Sequence, residues 1–239
     1  QQVIYLSGIV NDQALSKHLS SRFQVEKTLR SSKYSVTTLR AGIIVGSGSA
    51  SFEIIRDIVE KLPVMVTPKW LNTKTQPIGI KDVLSFLERA LGKEETYNKS
   101  YDICGPEVLT YKEMLLQFAE IRGFRRYILI LPFLTPKISS YWLYFVTSTS
   151  FNLAQALVDS MKIEIIAKDS DINEILGIEP MNYKEAVSLA FQKIEQNAVV
   201  SSWKDAISSG VINDQLSNHI QIPRFGCYKD IRSRTIKNE

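Results

Sequence analysis

A strand–helix–strand pattern opens the chain. Residues 3–45 read VIYLSGIVNDQALSKHLSSRFQVEKTLRSSKYSVTTLRAGIIV. Val3–Ser7 is a short apolar run, the apolar residues from Leu15 to Leu29 recur at roughly helical spacing, and Val36–Val45 is rich in β-branched residues. The sequence therefore predicts a buried strand at Val3–Ser7, a helix over 14–31 and a second strand at Val36–Val45.

The same alternation continues along the first half of the chain. A helical face over 52–62 stops at Pro63, because proline cannot continue a helix. Asp82 is expected to cap the next helix, and Gly92 to end it. Short extended segments are expected at Val64–Val66, Pro77–Ile80 and Tyr101–Cys104. Apolar strands that alternate with helices form parallel sheets covered on both faces, so the sequence predicts a doubly wound α/β fold.

Two helix starts carry a specific signature. Thr110 is followed by Glu113 and an apolar helical face, which is the pattern of a capping box. Asn182 and Glu185 have the same spacing ahead of a second apolar face. From about residue 198 the chain becomes serine-rich and then basic, which we interpret as a linker and an incomplete C-terminal element.

The composition excludes several classes of protein. The chain has 239 residues, 44% of them apolar and 23% charged, which is ordinary for a globular protein and argues against a disordered, collagenous or coiled-coil chain. A net charge of +4 with scattered basic residues does not indicate nucleic-acid binding. Two cysteines and two histidines are too few for a disulfide framework or a structural zinc site. We therefore expect a cytoplasmic protein with reduced thiols and no bound metal.

Residues 127–151 form an apolar, aromatic-rich segment. Pro132, Pro136 and Lys137 interrupt it, and a membrane span needs about 20 uninterrupted apolar residues, so we predict no transmembrane segment. We interpret it as a buried strand, a turn and an amphipathic piece around Trp142. Core packing explains such a segment, and so does a substrate-covering lid or a partner surface.

The candidate site combines Ser7, His18 and Arg22. Ser7 ends a strand of the predicted parallel sheet, and open α/β sheets bind ligands at the carboxyl ends of their strands. His18 and Arg22 are four residues apart, so they share one face of the following helix. An imidazole can exchange a proton near neutral pH, and a guanidinium can bind a ribose. A solvated helix face would give the same spacing.

At this point the chain resembles a family. The succession YLSGI, VEKTLRSS, SVTTLRAGIIVG, TQPIGIKDVLSFLERAL and YDICGPEVLTYKEML is similar to the atypical and extended short-chain dehydrogenases/reductases, in particular the nucleoside-diphosphate-sugar-epimerase-like proteins. The resemblance covers residues 3–196. It implies a Rossmann-like, doubly wound parallel sheet with a smaller C-terminal substrate or lid region, and NAD or NADP as cofactor. The family's glycine-rich dinucleotide fingerprint is absent, and the chain opens on a strand without an initiating methionine, so we expect the front of a longer protein to be missing.

The resemblance also assigns domains. Residues 1–110 would be the C-terminal half of the NAD(P)-binding domain, residues 111–197 the substrate or lid region, and residues 198–239 the linker and incomplete element.

The family's Tyr-x-x-x-Lys pair is replaced here. In the alignment His18 stands at the tyrosine position and Arg22 at the lysine position, which implies an acid/base role for His18 and a cofactor-ribose role for Arg22. Ser7 matches the residue that orients the substrate oxygen. Further matches imply cofactor contacts at Ala41, Gly42, Ile43 and Ile44, and substrate contacts at Ser51 and Gln76.

Two functions remain open at this stage. The first is an NAD(P)-dependent epimerase or oxidoreductase that acts on a small or nucleotide-linked substrate. The alternative is a non-catalytic dinucleotide-binding module, such as a redox sensor or an assembly factor, because the usual catalytic pair is replaced. Neither function requires nucleic acid, and both leave a homo-oligomer open.

Overall fold

The computed structural model describes residues 1–9, 17–131, 161–168, 170–195, 220–221 and 229–230. The chain divides into two compact units, Gln1–Val199 and Val200–Glu239. The described part of the second unit is one antiparallel strand pair. The strands are β1 Gln2–Gly8, β2 Ser35–Ala41, β3 Ile44–Val45, β4 Val64–Pro68, β5 Lys74–Thr75, β6 Ile78–Gly79, β7 Ser100–Ile103, β8 Leu109–Thr110, β9 Tyr127–Leu131, β10 Ile220–Gln221 and β11 Lys229–Asp230. The helices are α1 Lys17–Arg30, α2 Ala50–Lys61, α3 Ile80–Ala90, α4 Tyr111–Ile121, α5 Ile172–Leu176 and α6 Tyr183–Glu195.

A three-stranded parallel sheet in the order β1–β2–β7 positions the candidate site. Its register pairs Ser7 with Arg40, and Arg40 with Asp102. Strand β2 lies in the middle and is largely buried, whereas β1 lies at an edge of the described sheet. The prediction of a buried strand at Val3–Ser7 is therefore correct for the strand but wrong for most of its burial. Residues 2–6 are half-buried because β1 pairs with only one strand among the described residues, and burial begins at Ser7.

Helices cover the two faces of this sheet. Side chains alternate along each strand, so Arg40 and Ser100 face α1, while Leu39 and Ile103 face α3. Phe86 of α3 and its neighbours complete an apolar core on the second face. This arrangement confirms the α/β fold with a parallel sheet.

The predicted strand Val36–Val45 is interrupted. It ends as β2 at Ala41, and the chain resumes as the short strand β3, which pairs with β6 rather than with the main sheet. The break lies at Gly42, whose missing side chain lets the backbone of Gln76 and the side chain of Ile165 approach closely. Composition alone does not reveal this change of partner strand, because both β2 and β3 contain β-branched residues.

A second core lies between α2, α4 and α6. The rings of Phe52, Phe118 and Phe191 all contact one another, with centroids 5.3–5.6 Å apart. Tilted and edge-on arrangements at this distance are favourable between aromatic rings. The ring cluster therefore holds three helices together that are distant in the sequence.

The helix ends show which local signals are reliable. Thr110 and Glu113 form the predicted capping box, and Asn182 and Glu185 exchange hydrogen bonds in the same way ahead of α6. The prediction that Asp82 caps α3 is wrong, because Gly79 is the N-cap and Asp82 lies inside the first turn. Gly92 follows the end of α3 with φ +74°, as its predicted role requires.

The strand pair β4–β9 exposes an apolar face. Tyr127 and Leu129 are 68% and 56% exposed, so the prediction of a buried strand at the start of 127–151 is wrong as to burial. The remainder of that segment lies outside the described residues. In the part of the chain that the structure describes, no helix is both long and apolar enough to cross a membrane.

Candidate functional site at the carboxyl edge of the sheet

Ser7 lies at the carboxyl end of β1 with its side chain enclosed. The residue is 1% exposed, and its hydroxyl has no hydrogen-bond partner among the described residues. A buried hydroxyl without a partner costs free energy, so such groups call for an explanation. Thr38 has the same property on the same face, but it lies in the interior of β2. Ser7 differs because it lies where the strands end, although a substrate would reach it only if neighbouring groups move.

The first turn of α1 contacts this end of β1. Leu19 lies so close to Gly8 that an added Cβ would be 2.6 Å from its Cδ2 atom. The Tyr5 hydroxyl donates a hydrogen bond to the Arg22 carbonyl oxygen at 3.3 Å, which fixes the next turn above β1. The backbone of the helix that carries His18 and Arg22 is thus placed beside Ser7. The Arg22 side chain is exposed, and the His18 side chain lies outside the described residues.

An ion pair between the half-buried Arg40 and the buried Glu26 fixes α1 on the sheet. Arg40 donates to Glu26 through Nη2 at 2.6 Å and Nε at 3.1 Å, and the Ser100 hydroxyl donates to the same carboxylate at 2.7 Å. Burial would raise the pKa of Glu26, but these hydrogen bonds and the charges of Arg40 and Arg30 outweigh it and lower the pKa. The carboxylate therefore joins α1 to β2 and β7. A single charged residue in the buried strand SVTTLRA is the sequence signal for this pair.

Replacing Arg40 by methionine is expected to lower the free energy of unfolding by about 3 kcal/mol near pH 7, since a buried carboxylate loses its cation. The lowered pKa means that ionised Glu26 stabilises the wild type above its unfolded-state pKa, and that this stability is lost as the pH falls through the folded-state pKa. In the variant, folding buries Glu26 without its cation, so the folded state disfavours the ionised form of Glu26. Urea unfolding should therefore show a deficit that shrinks towards pH 4.

The exposed Arg125 supplies the matched control for that measurement. Arg125→Met should change the free energy of unfolding by less than about 0.5 kcal/mol at either pH. A deficit of Arg40→Met that is independent of pH would contradict the role given to Glu26.

The segment Ala41–Ile44 is held by protein contacts. The Ala41 carbonyl oxygen accepts from the Ile9 amide at 3.1 Å, and the Ile43 carbonyl oxygen accepts from the Ile78 amide at 2.9 Å. An added Cβ at Gly42 would lie 3.3 Å from both Gln76 O and Ile165 Cγ2. Ile43 and Ile44 pack against different apolar clusters. The glycine is thus explained by close packing at the end of β2.

Gln76 acts as a bridge between backbone segments. Its Nε2 donates to the Gly105 carbonyl oxygen at 3.0 Å, and its Oε1 accepts from the Ala167 amide at 3.1 Å. Both ends of the amide are therefore engaged within the protein. Ser51 lies in the first turn of α2, two residues after the N-cap Ser49, and is half-buried. The assignment of Ser51 and Gln76 to substrate remains a prediction.

Asp82 is a buried carboxyl group whose role the sequence did not reveal. Its Oδ2 accepts from the Met181 amide at 3.1 Å and so ties the segment before α6 to the first turn of α3. Burial raises the pKa of Asp82, and the Met181 amide and the charge of Lys81 reduce that effect. Within the described ranges, no three His, Cys, Asp or Glu side chains lie close enough together to hold a metal ion.

Solved structures share this arrangement of strands and helices. A nucleoside-diphosphate-sugar epimerase from Staphylococcus aureus superposes with a TM-score of 0.59 at 13% identity, over 78% of this chain and 64% of that one. An NADPH-dependent quinone oxidoreductase from Escherichia coli gives 0.62 at 18% identity, over 80% and 67%. Triphenylmethane reductase from Citrobacter sp. gives 0.61 at 17% identity, over 80% and 65%. No protein-family model matches the sequence, and no curated protein is significantly similar to it in sequence.

The chain has a Rossmann-like α/β fold. It spans about two thirds of the length of these solved structures. In a Rossmann-like sheet, ligands bind outside the carboxyl ends of the strands, and Ser7 lies at that edge. The fold and the buried Ser7 hydroxyl, which has no partner in the described ranges, therefore indicate the same edge of the sheet.

Proposed function

We propose that this protein binds NAD or NADP at the carboxyl edge of the β1–β2–β7 sheet. We further propose that it acts there as a reductase or epimerase on a small or nucleotide-linked carbonyl or hydroxyl compound. Structures with this fold include the Escherichia coli quinone oxidoreductase complexed with NADPH and the Citrobacter triphenylmethane reductase complexed with NADP(H). These likenesses support the cofactor class, and the reaction is argued from the residues.

One observation carries the proposal, namely the buried hydroxyl of Ser7, which has no hydrogen-bond partner within the described part of the chain. It lies at the end of the sheet where Rossmann-like folds bind ligands, beside the first turn of α1. A hydroxyl left without a partner in a protein interior can donate to a substrate oxygen without first giving up another hydrogen bond. The residues at this edge therefore fit a site for a polarised carbonyl or hydroxyl group.

The proposed roles follow the order of the residues along β1 and α1. Ser7 donates a hydrogen bond to the substrate oxygen, and His18 gives or takes the proton on that oxygen. Arg22 binds the ribose through its guanidinium, and the segment Ala41–Ile44 lies beside the nicotinamide. The dinucleotide supplies hydride transfer when it is bound. Because backbone groups of Ala41–Ile44 already form hydrogen bonds within the protein, this segment would position the nicotinamide by packing against it rather than by hydrogen bonding.

A second function, dinucleotide binding without catalysis, is supported by the packing of the residues for which the resemblance implies cofactor or substrate contacts. Gly42 contacts Gln76 and Ile165, and the amide of Gln76 is engaged at both ends. Residues so used maintain the fold whether or not chemistry takes place. With His18 and Arg22 in place of tyrosine and lysine, the protein would then bind the dinucleotide without turning over a substrate, as a sensor or assembly factor does.

The first experiment measures binding alone. NADPH at about 100 times its dissociation constant should raise the free energy of unfolding by about 2.7 kcal/mol, because it binds only the folded state. For a chain of this size that corresponds to a rise in Tm of roughly 5–10 °C. The measurement is a thermal melt with NADPH, NADP⁺, NADH and NAD⁺, with adenosine monophosphate as the control ligand. A Tm that none of the four dinucleotides changes would sink both proposed functions.

A further inference from the structure

A groove lined by none of the proposed site residues that the structure describes lies between α3 and α6, next to the ends of β3 and β6. It has a volume of about 370 Å³, within the range of small-molecule sites. The turn at Val45–Ser47 closes one end, the first turn of α3 forms one wall, and the face of α6 that carries Ala186 and Ala190 forms the other. Ser7, Arg22, Gly42 and Gln76 are not among the residues that line it.

The walls of the groove are apolar and partly exposed. Ile80 and Leu84 are four residues apart on α3, so they share one face, and they are 41% and 58% exposed. Leu189 of α6 also lines the groove, and the two alanines of α6 leave space beside it. Large apolar side chains exposed along a groove are a surface that an aliphatic chain can cover.

Two lysines accompany this apolar surface. Lys81 follows Ile80 on α3, and Lys193 lies one turn beyond Leu189 on α6. Both are exposed, and neither ammonium forms a salt bridge with any described residue. All the described residues that line the groove are neutral or basic. The groove therefore offers positive charge beside an apolar wall.

We propose that the groove between α3 and α6 binds a small amphipathic anion, an aliphatic chain that ends in a carboxylate. The chain lies against Ile80, Leu84 and Leu189, and the carboxylate is held by Lys81 and Lys193. Apolar burial supplies the affinity, and the positive charge of the two lysines selects an acid over an alcohol of the same length. The inference goes beyond the proposed dinucleotide function and does not depend on it.

Isothermal titration with decanoate, at concentrations below its micelle formation, tests the proposal. The wild type should bind one decanoate and prefer it to decanol by about 10-fold, since the alcohol lacks the charge that the lysines attract. The double variant Lys81→Gln/Lys193→Gln should bind decanoate about 10-fold more weakly and should no longer distinguish it from decanol. Leu84→Gln should weaken both ligands about 5-fold, because it removes apolar contact.

Matched controls use the same substitutions at exposed positions elsewhere. Lys27→Gln on α1 and Leu91→Gln beyond the end of α3 should bind decanoate as the wild type does. Equal affinity for decanol and decanoate, or equal losses in the controls, would overturn the proposal. The same samples are titrated with NADPH. Decanoate binding without NADPH binding would support this proposal and contradict the dinucleotide proposal. NADPH binding without decanoate binding would contradict this proposal and support the dinucleotide proposal.

Discussion

Replacing His18 by alanine is expected to lower kcat/KM by about 10²–10⁴-fold, the usual contribution of a general acid or base. The affinity for NADPH should stay within about 3-fold, because the imidazole acts on the substrate oxygen rather than on the cofactor. The measurement is the oxidation of NADPH in the presence of a panel of quinones, aldehydes and nucleoside-diphosphate keto sugars. Dinucleotide binding is measured on the same preparations.

Two pairs of variants make this test specific. Gln24→Ala changes an exposed side chain on the same helix and should leave turnover unchanged. Ser7→Ala should lower turnover by about 10²-fold, as expected for the loss of a donor to a reacting oxygen. Thr38→Val removes a second buried hydroxyl on that face, which also has no partner among the residues that the structure describes, and should have no effect on turnover. A wild type that binds NADPH and reduces none of the panel would favour the non-catalytic module. A His18→Ala enzyme as active as the wild type would remove His18 from the mechanism.

Phe118→Ala is expected to lower the free energy of unfolding by about 4 kcal/mol, the largest change in stability among the variants considered. Phe118 is fully buried, and its ring lies 5.6 Å from that of Phe52 and 5.3 Å from that of Phe191. The substitution removes contacts with two other helices at once and leaves a cavity that these helices can only partly close. Urea unfolding followed by circular dichroism gives the change directly.

The control for this variant lies two residues earlier on the same helix. Leu116 is 37% exposed, so Leu116→Ala removes less buried surface and should cost under about 1.5 kcal/mol. Phe118→Leu keeps most of the volume and should fall between the two, which provides a measurement if the alanine variant does not fold. Equal losses for Leu116→Ala and Phe118→Ala would show that the ring cluster does not hold the three helices together.

The sequence predicts those features that depend on neighbouring residues. The capping box at Thr110–Glu113 and the reciprocal pair at Asn182–Glu185 are correct because each involves groups three residues apart. Gly92 follows from the same kind of local rule. The alternation of strands and helices gives the α/β class for a related reason, since periodicity records which face of each element is buried.

The errors concern partners that are distant in the chain. Asp82 has the residue type of a helix cap, yet the Met181 amide 99 residues away decides where its carboxylate lies. The strand Val36–Val45 changes partner at Gly42 because β6 and Ile165 approach there. For the candidate site, the sequence locates Ser7 at the end of β1. It does not reveal that the hydroxyl lacks a partner among the described residues, or that Glu26 and Arg40 fix the helix above it.

The bridge made by Gln76 has a consequence for how the chain folds. It joins Gly105 to Ala167, and Asp102 binds the Lys168 amide from the same edge of the sheet. Such links require the ends of long loops to meet before any of their free energy is gained, which slows folding. While the chain is being synthesised, the carboxamide of Gln76 has to wait for about 90 more residues before its second bond can form. The carboxyl edge of the β1–β2–β7 sheet is therefore expected to become ordered only after most of the first unit has been synthesised.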